Sequence, residues 1–72
     1  MKVNKSQAMM FILKTLYLEK RISRTNMMQE LEINALTFRR YIQEIRSYLV
    51  NFNEPYELIY NKFEDVYFLR KI

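Results

Sequence analysis

The sequence predicts an α+β fold in which three helices precede a C-terminal β-hairpin. Apolar residues recur at helical spacing up to about residue 50, and the spacing then changes to the alternation that is typical of β-strands. Short polar residues that favour helix starts interrupt the helical part twice. The length of 72 residues is enough for one domain, residues 1–72, and not for a second.

The first helix is predicted over about residues 6–20. One of its faces is apolar at helical spacing and consists of Met9, Ile12, Leu13 and Leu16. Asn4 or Ser6 is the candidate N-cap, because a short polar side chain can accept a hydrogen bond from the amides of the first turn.

Two further helices are predicted over about residues 24–31 and 35–50, with Ser23 and Asn34 as their N-caps. The third helix has the clearest division into an apolar and a polar face. Its apolar side chains lie within about 60° of one another and are Phe38, Ile42, Ile45 and Leu49. The opposite side is partly basic and carries Leu36, Arg40, Gln43 and Ser47, with Arg39 beside them.

A β-hairpin is predicted over about residues 56–70, after Pro55 has ended the helical part. Its two strands are rich in β-branched and aromatic residues, and the turn between them, residues 61–65, contains no Gly. Since a lone hairpin is unstable in water, we expect it to lie on the helices, with a short third strand near Arg21 and Ile22.

The composition argues against an enzyme. The chain has no His, no Cys and no Gly, so it lacks the commonest catalytic bases, thiolate ligands and glycine-rich phosphate loops. We therefore expect no catalytic residue, no metal ligand and no cofactor. The most apolar stretch, residues 8–13, is far shorter than the roughly 20 residues that span a bilayer. A cytoplasmic protein with no membrane partner is expected.

Residues 23–42 have the spacing of a helix-turn-helix. A short capped helix is followed by a three-residue turn and a longer capped helix with basic residues on its outer side. The tight turn would hold the helices at a steep angle, with Ile33 in the corner between them. Because the major groove of DNA admits an α-helix and the net charge is +4, this spacing predicts that the third helix binds duplex DNA.

This part of the chain resembles the N-terminal winged helix-turn-helix domain of DeoR-type, WYL-type and Mga-type bacterial transcriptional regulators. The residues that carry the resemblance are Ile22-Ser23, Met27, Leu31, Ile33-Asn34, the run from Thr37 to Ile42, and Ile45. A hairpin like that of Tyr56 to Leu69 follows in those domains, so the resemblance covers nearly the whole chain.

The resemblance implies a winged helix-turn-helix that binds double-stranded DNA sequence-specifically in transcription regulation. The residues that it places against DNA are Asn34, Ala35, Leu36, Thr37, Arg39, Arg40 and Gln43. By their chemistry, the two arginines can pair with guanine or hold phosphates, and Gln43 can read adenine.

The sequence departs from this pattern at three places. Glu32 stands where the family often has Gly, so a left-handed backbone there would be strained. Met28 replaces a small residue where the two helices cross, so we expect them to sit further apart. The wing tip, residues 62–65, is neither basic nor glycine-rich, and its two acidic groups would repel phosphate. The wing is therefore expected to contribute less than usual to DNA binding.

Two further expectations concern partners. A single module of this kind binds DNA weakly, so either a homodimer on a two-fold operator is expected or the chain is part of a larger regulator. A stand-alone phage or plasmid regulator would bind as such a homodimer. The alternative function is a winged-helix protein-interaction module, in a phage or mobile-element regulator, that contacts another protein through the acidic tip and Phe63.

Overall fold

The computed structural model describes residues 3–72. The elements follow in the order α1 (Lys5–Glu19), β1 (Arg21–Ser23), α2 (Arg24–Leu31), α3 (Ala35–Asn51), β2 (Tyr56–Asn61) and β3 (Val66–Lys71). The strands form one antiparallel sheet in the order β1-β3-β2, so the last strand of the chain lies in the middle. The predicted α+β class, with three helices and a C-terminal hairpin in a winged-helix layout, is confirmed.

Each helix begins after an N-cap that the sequence predicts. Asn4, Ser23 and Asn34 each accept a hydrogen bond from the backbone N–H three residues further on, at 2.9, 3.2 and 2.8 Å respectively. Each bond satisfies an amide that has no partner inside its helix and is worth about 1 kcal/mol. Local polar residues therefore determine where the helices start, and Asn4 rather than Ser6 caps α1.

The turn between α2 and α3 is closed by two backbone hydrogen bonds. The Glu32 N–H donates to the Gln29 carbonyl at 3.2 Å, and the Ile33 N–H donates to the Met28 carbonyl at 3.1 Å. This is the Schellman pattern, which requires a left-handed residue directly after the helix. Glu32 has φ 54°, so the left-handed conformation expected there is observed at a residue with a Cβ.

The core lies between the helices and one face of the sheet. Its most buried members come from all three helices and from the strands, and they are Ala8, Ile12, Leu16, Ile22, Met27, Leu31, Phe38, Ile42, Ile45, Leu49, Leu58 and Leu69. The apolar face predicted for α3 is buried completely. In α1 the centre of the buried stripe runs through Ala8, Ile12 and Leu16, while Met9 and Leu13 lie on its margin.

The short strand β1 joins the start of α2 to the sheet. It pairs with residues 66–68 of β3, which confirms the third strand expected near Arg21 and Ile22. On the other side of β3, β2 pairs as far as Asn61, opposite Val66. Because β1 also ends opposite Val66, only residues 62–65 extend beyond the sheet. The wing is therefore a turn and not a projecting ribbon.

Asp65, the last residue of this turn, holds the hairpin against the start of α2. Its carboxylate accepts hydrogen bonds from the Thr25 N–H at 3.1 Å, the Thr25 hydroxyl at 2.5 Å and the Tyr60 hydroxyl at 2.9 Å. Its backbone carbonyl accepts from the Arg24 N–H at 2.9 Å. Hydrogen bonds from Thr25 and Tyr60 lower the pKa of the Asp65 carboxyl below its ordinary value, and the Arg24 charge adds to this.

Polar contacts also attach α1 to α3 and to the segment after it. The Lys5 ammonium lies 2.6 Å from the Glu44 carboxylate, and the Tyr17 hydroxyl donates to Glu54 at 2.5 Å. Burial and the bond to Glu54 raise the pKa of the Tyr17 hydroxyl. The Tyr17 ring also meets the Tyr56 ring edge-on at 5.6 Å, which brings β2 against α1.

The core is expected to depend on Phe38. Phe38→Ala should destabilise the domain by roughly 3–5 kcal/mol and leave much of the protein unfolded, because Phe38 is 1% exposed and a cavity would remain. Phe52→Ala is the matched control, since Phe52 is 66% exposed just after the same helix. Thermal melts followed by circular dichroism measure both. Equal loss in the two variants would contradict the assigned core.

The left-handed turn provides a second prediction. Glu32→Gly should be more stable than Glu32→Ala by about 1 kcal/mol, because both variants lose the side chain but only Ala keeps the Cβ that is strained at positive φ. The comparison between the two variants removes the effect of any side-chain interaction of Glu32. Chemical denaturation of both measures the difference, and an Ala variant as stable as the Gly variant would argue against the left-handed turn.

The third prediction concerns pH. Since the pKa of Asp65 is lowered in the folded state, its contribution is present above the unfolded value of about 3.9 and is lost as the pH falls through the folded value. Asp65→Asn should therefore melt at a lower temperature than the wild type at neutral pH, and the difference should shrink below about pH 4. Glu64→Gln, on the same turn, is the control, because an exposed ion pair contributes little. A difference between Asp65→Asn and wild type that did not change with pH would contradict this role.

Candidate nucleic-acid interface

All of the residues predicted to face DNA lie at the start or on the outer side of α3. Thr37 is half-buried, and the others are exposed; they are Asn34, Ala35, Leu36, Arg39, Arg40 and Gln43. The opposite side of the helix is the buried face that packs on the core. The division into an inner and an outer face that the sequence predicts is therefore present, although contact with DNA stays a prediction.

Asn34 and the first turn of α3 form the end of the helix nearest to the α2–α3 turn. The Asn34 side-chain oxygen is occupied by the Thr37 amide, so its first role is in the fold. Within residues 3–72 the amides of Ala35 and Leu36 have no hydrogen-bond acceptor, as is general for the first residues of a helix. This end of α3 therefore carries the positive end of the helix dipole and two donors.

The arginines divide into two groups. Four of them are engaged within the fold: Arg21 with Glu64, Arg24 with Asp65, Arg46 with the Leu58 carbonyl, and Arg70 with Glu57. Within the part of the chain that the structure describes, Arg39 and Arg40 have no carboxylate or carbonyl partner. Both lie on the outer side of α3, so the unpaired guanidinium groups are concentrated on one helix face.

On this outer side Arg39 and Arg40 project about 100° apart, as successive helical residues do, and Arg39 is the one nearer to the hairpin. Arg39 borders an open groove of about 490 Å³ between α3 and the hairpin, whereas Arg40 lies outside it. The lining of this groove, called here the arginine groove, consists of Arg24, Ala35, Leu36, Arg39, Ile42, Gln43, Arg46 and Tyr67. The structure thus brings together four of the predicted contact residues, and leaves Asn34, Thr37 and Arg40 outside the groove.

Four groove residues are not among the contacts predicted from the sequence: Ile42, which belongs to the core, and Arg24, Arg46 and Tyr67. Arg46 follows Arg39 at a spacing of seven and Gln43 at a spacing of three, so helical periodicity could have placed it on the same side. Arg24 is the first residue of α2, and Tyr67 belongs to β3. No local pattern connects these two with α3, because their proximity depends on how the sheet packs.

Arg46 attaches the hairpin to α3. Its Nε and Nη2 atoms donate to the Leu58 carbonyl of β2 at 3.4 and 3.2 Å, and its guanidinium lies 5.9 Å from the centre of the Tyr67 ring. The Tyr67 ring in turn packs against Phe38 at 5.7 Å and Tyr60 at 4.6 Å. One wall of the arginine groove is therefore held by the core and by the sheet.

The wing tip is less negative than the sequence suggests, because its two acidic groups do not face the solvent as unpaired charges. Both acidic groups have cationic partners, since Glu64 lies 3.3 Å from Arg21 and Asp65 lies 3.8 Å from Arg24. These ion pairs partly neutralise the two acidic charges, although the pair between Glu64 and Arg21 is itself exposed. Phe63 is 91% exposed, with the Lys62 ammonium 5.7 Å from its ring. The tip therefore presents an aromatic ring and a cation to the solvent.

Neither a metal centre nor a membrane span is found within residues 3–72. No group of three acidic side chains is close enough to hold a metal ion. No helix in this range has the length and apolar character needed to cross a membrane. The acidic residue of α3, Glu44, is paired with Lys5.

Comparison with known proteins does not identify a family. No family model matches the chain, and no curated protein or solved structure matches it significantly. The resemblance to the DeoR, WYL and Mga types therefore stays a prediction that rests on the residues quoted for it.

Proposed function

We propose that this protein binds duplex DNA in transcription regulation and inserts the outer face of α3 into the major groove. The observation that carries the proposal is the distribution of the arginines. The two that have no partner within residues 3–72, Arg39 and Arg40, lie together on the outer side of the helix that follows the tight turn. Unpaired guanidinium groups on an exposed helix are suited to guanine edges and phosphates.

The arrangement of α2 and α3 supports the same proposal. The Schellman turn at Glu32 ends α2 sharply, and Asn34 starts α3 two residues later. The exposed start of α3 then carries two free amides and the positive end of the helix dipole, both of which favour a phosphate nearby. In this proposal Arg40 and Gln43 face base edges, while Leu36 contacts a thymine methyl group.

In this proposal the protein is a DNA-binding module that has no catalytic activity and acts in the cytoplasm. The absence of His, Cys and Gly supports binding rather than catalysis. A single module of this type buries roughly 600–1,000 Å² on DNA and binds weakly by itself. We therefore also propose a homodimer on a two-fold operator, or a place in a larger bacterial or phage regulator that dimerises by other means.

The test is DNA binding followed by fluorescence anisotropy as the salt concentration is raised. The wild type should bind a labelled duplex at low salt, with an affinity that falls with salt by a slope of about −0.9 for each phosphate neutralised. On a duplex selected from a random pool, Arg40→Ala should cost roughly 1–3 kcal/mol, because a base contact would be lost.

Arg70→Ala is the matched control for this experiment. Arg70 is an exposed arginine of β3 that is paired with Glu57, and the alternation of the strand directs it away from the face that packs on α3. The Arg70→Ala variant should therefore bind DNA with the affinity of the wild type. Failure of the wild type to bind any duplex at low salt would refute the proposal, and equal affinities of Arg40→Ala and Arg70→Ala would remove Arg40 from the site.

The alternative function is a protein-interaction module that uses the wing tip. The observation that favours it is Phe63, a large apolar ring that is almost fully exposed beside Lys62. A protein that binds no duplex, but binds a protein partner in a way that Phe63→Ser abolishes, would support this function over DNA binding.

A further inference from the structure

Among residues 3–72, the charged side chains that line the arginine groove are all arginines, namely Arg24, Arg39 and Arg46, and no carboxylate of this range lines it. We propose that this groove holds a backbone phosphate of one DNA strand between Arg24 of α2 and Arg39 of α3. The inference rests on the proposed DNA binding, and it adds a contact from a residue that the resemblance does not place against DNA.

The guanidinium of Arg24 has donors left for a phosphate. Its separation of 3.8 Å from the Asp65 carboxylate is far longer than the 2.7–2.9 Å of a charge-assisted hydrogen bond. The Arg24 side chain is 35% exposed, which leaves it accessible from the groove. The position of the residue is nevertheless well defined, because its backbone N–H donates to the Asp65 carbonyl.

Asp65 does not depend on Arg24 for its charge. Its carboxylate already accepts three hydrogen bonds from Thr25 and Tyr60, which satisfy most of its acceptor capacity. When a phosphate binds Arg24, Asp65 therefore keeps its hydrogen bonds to Thr25 and Tyr60. The attachment of the hairpin to α2 would be kept when DNA is bound.

The place of the groove favours a phosphate over a base. When a helix lies in the major groove, its outer face meets the base edges and its flanks meet the two sugar-phosphate backbones. The arginine groove lies along one flank of α3, and Arg24 belongs to the neighbouring helix α2. Arg39 can donate to the same phosphate from the side of α3. The contact would therefore fix the position of the protein on DNA without reading the sequence.

The experiment compares Arg24→Gln with the wild type on a labelled random-sequence duplex and on a selected one, between about 50 and 200 mM salt. The slope of log K against log salt should become shallower by about 0.9, and binding at about 0.1 M salt should weaken roughly eightfold. The loss should be the same for both duplexes. Arg70→Gln removes an arginine of the same chemistry from outside the groove and should change neither quantity.

Two further variants separate a phosphate contact from an effect on folding. Arg24→Lys keeps the positive charge and should keep the wild-type slope. In an Asp65→Asn background there is no ion pair for Arg24 to lose, so Arg24→Gln should still reduce the slope by the same amount. Circular dichroism melts show that each variant is folded at the temperature of the binding measurement.

The possible outcomes distinguish the two proposals. If the wild type binds DNA and Arg24→Gln keeps the wild-type slope, the phosphate site is wrong while DNA binding by α3 stands. The phosphate site is also wrong if the loss disappears in the Asp65→Asn background, or if Arg24→Lys loses as much as Arg24→Gln. If the wild type binds neither duplex at the lowest salt, the proposed function itself fails.

Discussion

The attachment of the hairpin turn to the start of α2 determines how the parts of this molecule are arranged. Asp65 makes this attachment with both its carboxylate and its backbone carbonyl, so one residue satisfies the Thr25 hydroxyl and two amides of α2. A small domain without disulfides buries only a small core, so polar contacts between distant segments contribute a larger share of its stability. The arginine groove between α3 and the hairpin exists because this attachment and the Arg46 contact to Leu58 hold the sheet in place.

The same attachment explains the unusual wing. Since β1 and β2 both end opposite Val66, the hairpin has no length left to project, and its turn lies on α2. The acidic residues of the turn, read from the sequence as repulsive to phosphate, instead have cationic partners within the fold. The tip thereby exposes Phe63 and Lys62 and little uncompensated negative charge. An exposed aromatic ring beside a cation is suited equally to a protein contact and to the edge of a DNA site.

The proposed binding face depends on which charges the fold leaves unused. Arginines that support the structure lie on β1, α2, β3 and the flank of α3, whereas Arg39 and Arg40 lie on its outer side. The net charge of +4 alone does not make this distinction, because it counts both kinds equally. Only the contacts of each arginine distinguish a side chain that stabilises the fold from a side chain that is available to a ligand. Arg24 belongs partly to both groups, because its ion pair is long and its side chain borders the groove.

The sequence by itself determined the elements, because the signals for them are local. Caps such as Asn34 act over three residues, and the apolar face of α3 follows from a period of 3.6, so helix limits and the outer face could be predicted. The partners of Asp65 could not, because Thr25 is forty residues away in the chain and no periodicity relates them. The same holds for the groove, where Arg24 and Tyr67 meet α3 only through the packing of the sheet. Tertiary structure alone decided which charges are paired, and therefore which are left to bind a partner.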